Sequence, residues 1–237
     1  MNAHILLFLL TMACDEPGED TSTATEEAPE GCLDHTWTCA ELEAAIAAAY
    51  GDAELECTDG DETFIISASG VPLYDSTQTT PNEITAQDYR IEIPLTAVCA
   101  DEAVDVTDSR GSIAISIAGL AIFGASDVNG NDAIEFEGPT MDECWGHAAP
   151  DGAYHHHSEP VCVFGTDTDP SEHPMDDGHP PLIALSYDGF GIYAINDDDP
   201  EGSELDQCGG QTDPERGYHY HMTETYPYTF GCYAGER

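Results

Sequence analysis

The chain has 237 residues and 41% of them are hydrophobic, which argues against wholesale disorder and allows a packed core. Its 48 acidic residues stand against only 4 basic ones, and the formal net charge is −44. Such a surface repels phosphate groups, so we expect no nucleic-acid partner and no membrane contact except through a lipid anchor. We attribute the charge to a heavily solvated surface, with attraction of divalent cations as the alternative.

The first 13 residues have the layout of an export signal. Ile5 to Ala13 form an apolar run that is too short to span a bilayer. Cys14 follows directly, which predicts a bacterial lipoprotein lipidated at Cys14, although Thr11 and the lack of Lys or Arg before the run depart from that pattern. An ordinary secretory signal is the alternative. Either route predicts an exported protein, held in the cell envelope or secreted.

The rest of the chain divides into three regions by composition. Residues 14–31 are rich in Glu, Thr and Pro and predict an acidic, disordered tether. Residues 32–60 predict a small cysteine-linked extension with a helix over 41–50. In residues 61–237, short apolar runs alternate with Gly, Pro, Asn and Asp clusters. We therefore predict a mainly β fold, a single domain of repeated strand-turn-strand units that is either sandwich-like or barrel-like.

An internal repeat organises the β region. Segments 64–75, 113–124 and 183–194 each contain a Ser, a Gly three residues later, and a Tyr or Phe four residues after the Gly. We interpret each segment as one strand-turn-strand unit that turns at the Gly. The last two copies continue with the pattern C-x-x-[HQ]-x6-Y-H-x-H and a further Cys, which predicts a duplication of 113–162 as 183–232.

These motifs resemble those of the YHYH domain family, a group of mostly secreted proteins. The resemblance rests on Tyr218-His-Tyr-His221 near the C-terminus, on Tyr187-Asp-Gly-Phe190 in the centre and on Ser69-Gly-Val-Pro72 nearer the N-terminus. It covers roughly residues 60 to 233. The family implies no particular reaction, so the chemistry has to be argued from the residues.

The histidines of the two motifs are candidate metal ligands. Residues two apart on a strand share a face, which pairs His155 with His157. His219 pairs with His221 in the same way. If the two copies pack about a pseudo-two-fold axis, the four imidazoles converge on one metal, for which nitrogen ligands favour Zn or Cu. The additional residues predicted for this site are His147 and His179 as further ligands, and Asp188, Tyr154 and Tyr218 as partners of the imidazoles.

Two other roles for these histidines stay open: a purely structural hydrogen-bonded network, and catalysis without a metal. Gln211 stands where the first copy has His147, which puts a shared role of that position in doubt. The chain has no G-x-S-x-G elbow, and we lean against an enzyme. We predict an extracytoplasmic binding or structural module with a His-based metal site. An exported metal-dependent enzyme and a purely structural surface protein are alternatives, and the sequence defines no protein or small-molecule partner.

The cysteines predict a disulfide framework. Setting Cys14 aside leaves eight, an even number that suits four disulfides in an oxidising compartment. The repeat predicts two of them. The four N-terminal cysteines allow three connectivities, and we choose the one in which a disulfide joins the start of the first strand pair to its end. The predicted pairs are Cys144–Cys162, Cys208–Cys232, Cys57–Cys99 and Cys32–Cys39.

A short acidic segment resembles the start of a calcium-binding loop. Asp127, Asn129 and Asn131 place oxygen atoms at alternate positions, and Glu135 follows. The segment lacks the Gly and the final Glu of a complete EF-hand loop. We prefer a solvated Asn/Gly turn and keep calcium as the alternative.

Overall fold

The structure, a computed structural model, describes residues 25–77, 79–167, 178–196 and 198–237. The predicted export signal, Cys14 and the start of the predicted tether lie outside these ranges. Within them, none of the helices has the length and apolar character needed to cross a membrane.

The described part of the chain is mainly β, as predicted. It contains two short helices, α1 (Cys39–Ala48) and α2 (Ala133–Glu137), and a 3-10 turn at Gly138–Thr140. The strands are β1 (Thr25–Glu27), β2 (His35–Thr36), β3 (Glu54–Glu56), β4 (Thr63–Ala68), β5 (Tyr89–Pro94), β6 (Thr96–Ala97), β7 (Cys99–Asp105), β8 (Ser112–Ser116), β9 (Ala121–Phe123), β10 (Gly146–Ala148), β11 (Tyr154–His156), β12 (Leu182–Ser186), β13 (Gly191–Tyr193), β14 (Gly210–Asp213), β15 (Gly217–His221) and β16 (Cys232–Gly235).

The largest sheet has eight strands in the order β10-β11-β9-β8-β12-β13-β15-β14. At its centre β8 and β12 pair antiparallel. On each side of this pair the same series follows: an antiparallel hairpin, a parallel pairing and a second antiparallel pairing. The sheet is therefore two copies related by a pseudo-two-fold axis between β8 and β12. Within the described strands it is open at β10 and β14, and β4 and β5 of the smaller sheet β3-β4-β5 share its hydrophobic core, so the architecture is sandwich-like.

Two of the three predicted strand-turn-strand units are present. The hairpins β8–β9 and β12–β13 turn at Gly119 and Gly189, whose φ angles of 87° and 94° suit glycine because it has no Cβ. The prediction of a third unit at 64–75 is wrong. Its first half is β4, but the chain after Gly70 runs irregularly and β4 pairs instead with β3 and β5.

The N-terminal region packs on the same core as the central sheet. The Trp37 indole is buried and donates a hydrogen bond to the carbonyl of Gly189 (2.8 Å), and Leu42 of α1 is fully buried. Helix α1 begins two residues earlier than predicted, because Thr38 and Glu41 form a capping box at its start. The predicted disordered tether is also too long, since β1 pairs antiparallel with β7.

Four disulfide bonds link the described cysteines. The two predicted from the repeat, Cys144–Cys162 and Cys208–Cys232, are both present. The other two predictions are wrong, because the pairs are Cys32–Cys99 and Cys39–Cys57. The reason is that β6, just before Cys99, pairs with β2, just after Cys32, while the start of α1 packs beside β3 and so brings Cys39 to Cys57.

Candidate metal centres

The first histidine cluster is built by strand pairing at one end of the large sheet. His147 on β10 lies directly opposite His155 on β11, and His157 follows two residues later on the same face. The Nε2 atom of His155 is 3.1 Å from Nε2 of His147 and 3.1 Å from Nε2 of His157. All three side chains are buried, so three ring nitrogens meet away from bulk water.

The second cluster repeats this arrangement at the other end with one substitution. On β14 and β15, Gln211 lies opposite His219, in the place that His147 takes in the first copy. The third imidazole comes instead from His179, whose Nε2 is 3.2 Å from Nε2 of His219. His221 completes the group, and all three rings have a nitrogen within 4.8 Å of the others. The residues predicted as further ligands, His147 and His179, thus belong to different clusters.

The prediction that four imidazoles converge on one point is wrong. The strands β11 and β15 are five positions apart in the sheet, or about 24 Å at the usual strand spacing. The pseudo-two-fold axis passes between β8 and β12, whereas the histidines lie on outer strands. The axis therefore separates the two motifs and gives each copy its own cluster.

Hydrogen bonds at Nδ1 fix the orientation of the imidazoles. The Nδ1 of His155 donates to the carbonyl of Ala153 (3.1 Å). The Nδ1 of His157 donates to the carbonyl of Gly124 (2.6 Å). In the second cluster the Nδ1 atoms of His179, His219 and His221 donate to the carbonyls of Pro180, Gly217 and Ala194. Because a carbonyl only accepts, Nδ1 carries the hydrogen and each neutral ring points an Nε2 lone pair at the centre.

His147 reaches the same tautomer through a hydroxyl group. Its Nδ1 lies 2.9 Å from Oγ1 of Thr140, and that hydroxyl donates its own hydrogen to the carbonyl of Glu137 (2.7 Å). The Thr140 oxygen is therefore an acceptor, and His147 also presents a lone pair at Nε2.

Burial keeps these rings neutral. Burial, together with the nearby His157 ring, lowers the pKa of His147 to about 4. Burial and the adjacent His221 ring lower the pKa of His219 to about 3. The pKa of His155 lies well below its usual value for the same reasons. Lone pairs that face one another at 3.1 Å repel, and a cation between them removes that repulsion.

The nitrogen spacing suits a tetrahedral metal. Zn–N bonds of about 2.0–2.1 Å at tetrahedral angles place neighbouring nitrogens about 3.3 Å apart. The distances here are 3.1 Å in the first cluster and 3.2 Å between His179 and His219 in the second. Both clusters thus fit a transition-metal ion coordinated by three imidazoles.

Each cluster packs against an aromatic ring from the neighbouring hairpin. Phe123 stacks on His155 with ring centroids 4.0 Å apart, and Tyr193 lies 5.0 Å from His219 and 4.8 Å from His179. These rings shield the imidazoles from water and limit their rotation. Phe123 and Tyr193 are the aromatic residues at which the hairpin repeat ends. The repeat therefore marked them in the sequence, but no sequence pattern linked that position to the histidines.

The first cluster has a carboxylate neighbour that the sequence did not indicate. Glu137, the last residue of α2, places Oε2 at 3.5 Å from Nε2 of His157 and 3.8 Å from Nε2 of His147. Burial raises the pKa of Glu137. One carboxylate among 48 acidic residues carries no distinguishing pattern, so only the three-dimensional arrangement identifies it.

Tyr154 and Tyr218 do not bond to the imidazoles, contrary to prediction, because they lie on the opposite face of their strands. The Tyr154 hydroxyl donates to Asp142 (2.7 Å), which also accepts the backbone N–H groups of Cys144 (2.9 Å) and Gly146 (3.1 Å). Tyr218 and Asp206 repeat the arrangement in the second copy. The motif tyrosines therefore stabilise the turn that contains the cysteine. The Asp two residues before each Cys was the sequence signal for this arrangement.

Asp188 also has a different role from the predicted one. It is fully buried and accepts hydrogen bonds from the Tyr220 hydroxyl (2.6 Å), the Gly235 N–H (2.9 Å) and the Ser186 hydroxyl. These bonds join the β12–β13 turn to β15 and β16. Asp188 thus stabilises the fold on the face of β15 opposite to the histidines.

We expect Gly146→Ala and Gly210→Ala to destabilise the protein by about 1–3 kcal/mol each. A Cβ at either position would overlap the hydroxyl end of the cross-strand tyrosine, Tyr154 or Tyr218. Chemical denaturation followed by circular dichroism measures the effect. Gly138→Ala is the control, because its Cβ meets no atom within 4 Å, and its stability should stay close to wild type. Equal stability of all three variants would contradict the tyrosine packing.

The calcium-like loop is a turn with internal hydrogen bonds. Oδ1 of Asp127 accepts the backbone N–H groups of Asn129 and Asn131, both at 2.8 Å. Oδ2 of Asp127 accepts from the Asn131 side-chain amide (2.9 Å), and these bonds lower the Asp127 pKa to about 2. Glu135 lies in α2, where its N–H bonds to Asp132. The conformation is explained without calcium.

The molecule is thus a disulfide-linked β protein with two trihistidine clusters on duplicated Tyr-His-x-His strands. Residues 90–203 match the family model described as YHYH protein. This match confirms the predicted resemblance to the YHYH domain family over that segment. The match is narrower than the predicted 60 to 233 and ends before the second motif. Neither the curated proteins nor the solved structures contain a significant match to the chain.

Proposed function

We propose that this protein is an exported metal-binding module that holds two transition-metal ions, one in each histidine cluster. The observation that carries the proposal is the convergence of three buried Nε2 atoms in the first cluster, where Nε2 of His155 lies 3.1 Å from each of the other two and every Nδ1 is already hydrogen-bonded. Ligands fixed by such outer hydrogen bonds are characteristic of protein metal sites.

The alternative of a purely structural histidine network is less well supported. A hydrogen-bonded network needs a donor opposite each acceptor. Here His147, His155 and His157 use their hydrogens at Nδ1, which leaves acceptors facing acceptors at Nε2. Bound metal resolves this conflict, whereas neutral imidazoles alone do not.

Zinc suits the geometry better than copper. The nitrogen spacing is close to that of a tetrahedral ion, while Cu(II) prefers a tetragonal arrangement. The net charge of −44 favours the approach of any cation. Copper remains the alternative that metal analysis tests.

Export is supported by the disulfide bonds. Four of them join all eight cysteines of the described chain, and disulfides persist in oxidising compartments. Mass analysis of the membrane-bound and secreted forms, with lipid on Cys14 as the diagnostic modification, distinguishes a lipoprotein from a secreted protein.

Elemental analysis tests the metal proposal. Protein produced with export and purified without chelators should contain two zinc ions per chain. The variants His155→Ala/His157→Ala and His219→Ala/His221→Ala should each retain one. His35→Ala is the control, because His35 belongs to neither cluster, and should retain two. A metal content that is negligible in folded protein, or unchanged in both double variants, would contradict the proposal.

A further inference from the structure

A cavity of the molecule is lined by residues from both copies of the repeat. Its volume is about 310 Å³, at the lower end of the range for small-molecule sites. The first copy contributes Trp145 and Glu159 to its lining, and the second contributes Ile195, Glu224 and Tyr228. The described lining includes none of the histidines of the two clusters. The cavity is therefore a candidate site that is separate from the metal centres.

Two aromatic residues of this cavity have an unfavourable backbone conformation. Trp145 and Tyr228 have φ angles of 60° and 62°, and they are two of the three non-glycine residues with positive φ in the described chain. A bulky residue with positive φ is an outlier, because its Cβ crowds a backbone carbonyl oxygen. Such conformations cluster at functional sites, where the surrounding structure holds them. Their occurrence at one cavity marks it as a candidate ligand site.

The second copy of the repeat shows that this turn does not need a tryptophan. Gly209, with a φ of 83°, follows the motif cysteine of the second copy, as Trp145 follows that of the first. The N–H of Trp145 donates to the carbonyl of Asp142 (3.1 Å), and the N–H of Gly209 donates to that of Asp206 (3.0 Å). The Trp145 side chain is 42% exposed, so it fills little of the core. A contact with a ligand explains its presence better than a role in folding.

The chemistry of the lining suits an organic cation. The rings of Trp and Tyr attract ammonium groups through their electron-rich faces, and Trp145 and Tyr228 supply one of each. The Tyr228 hydroxyl donates to Asp132 (2.8 Å), which restrains the ring. Glu159 and Glu224 add two carboxylates, and the described lining contains no basic side chain. The net charge of −44 favours the approach of a cation and repels an anion.

We propose that this cavity binds a small quaternary ammonium compound from solution. Trp145 and Tyr228 contact the charged group, and Glu159 and Glu224 supply the opposite charge. The methyl groups of such a ligand pack against apolar side chains of the lining, among them Ile195. The site uses no metal ligand, so the inference goes beyond the proposed function and does not depend on it.

Isothermal titration calorimetry of the metal-loaded protein with choline, at low ionic strength, tests the inference. Choline should bind, and its uncharged analogue, in which a tert-butyl group replaces the trimethylammonium group, should bind about tenfold more weakly. Ammonium chloride should give a much weaker response, because it has no methyl groups to pack against the lining. Absence of choline binding, equal binding of the uncharged analogue, or an equal response to ammonium, as for ions attracted only by the acidic surface, would overturn the inference.

Two variants with matched controls provide the second test. Trp145→Gly introduces the residue of the second copy and should weaken choline binding about tenfold, with a denaturation midpoint equal to or above that of wild type. Glu224→Gln, at an exposed carboxylate, should also weaken binding. The controls are Phe136→Ala, at an exposed aromatic residue, and Glu54→Gln, both outside the lining, and they should bind as wild type does. Unchanged binding in Trp145→Gly and Glu224→Gln, or a lower midpoint in Trp145→Gly, would overturn the inference.

Discussion

Removal of bound metal is expected to lower the free energy of unfolding by about 4 kcal/mol per site, for free metal at about 1,000 times the dissociation constant. The ligands of the second cluster include His179 and His219, which are 40 residues apart, so the folded chain assembles a site that the unfolded chain lacks. Metal loss also restores the repulsion between buried lone pairs. Denaturation curves recorded with added zinc and with a chelator measure the difference.

The control for this prediction is the chain with all four motif histidines, His155, His157, His219 and His221, replaced by alanine. Its unfolding should be insensitive to the chelator, because the chelator then has no bound metal to remove. Identical curves for the wild-type protein with zinc and with chelator would contradict the account and would favour a purely structural histidine network.

Asp188→Ala is expected to lower the free energy of unfolding by about 3–5 kcal/mol. The substitution leaves the buried Tyr220 hydroxyl and the Gly235 N–H without the acceptor they share. Burial raises the pKa of Asp188, and the hydrogen bonds it accepts oppose that rise. Alanine itself fits the turn, because Ala118 occupies the matching position of the first hairpin. The loss of stability therefore measures the contribution of the hydrogen bonds that Asp188 accepts.

A double-mutant cycle separates this effect from general disruption. Tyr220→Phe removes the hydroxyl that bonds to Asp188, so the double variant should lose less stability than the sum of the two single losses. Urea denaturation of the four proteins gives the coupling energy, for which we expect about 1 kcal/mol or more. Strict additivity, or a loss below about 1 kcal/mol for Asp188→Ala, would mean that the contact contributes little.

The sequence predicted the features that depend on local spacing. The two-residue period of a strand placed His155 and His157 on one face, and it did the same for His219 and His221. The repeat also predicted both disulfides that enclose the motifs, because each joins cysteines within one copy, 18 and 24 residues apart. Local geometry is the same in both copies, so the repetition itself was informative.

Features that depend on long-range pairing were not predictable in this way. The Cys32–Cys99 bond spans 67 residues and follows from the β2–β6 pairing, which no local pattern specifies. His179 was predicted as a further ligand, but its place in the cluster of His219 alone was not, and Glu137 reaches the first cluster from a short helix. Strand order also determines the number of histidine clusters, because the pseudo-two-fold axis lies between β8 and β12 and not between the motif strands β11 and β15.

The ligand shell of the bound metal is the most direct test of the central claim, that histidine clusters hold metal. X-ray absorption spectroscopy at the zinc edge of the purified protein should show imidazole nitrogens at about 2.0–2.1 Å, with the multiple-scattering pattern of several histidines and no sulfur. An average near three imidazoles per zinc is the expected result. A shell of oxygen ligands alone, as for ions held by the acidic surface, would contradict the account.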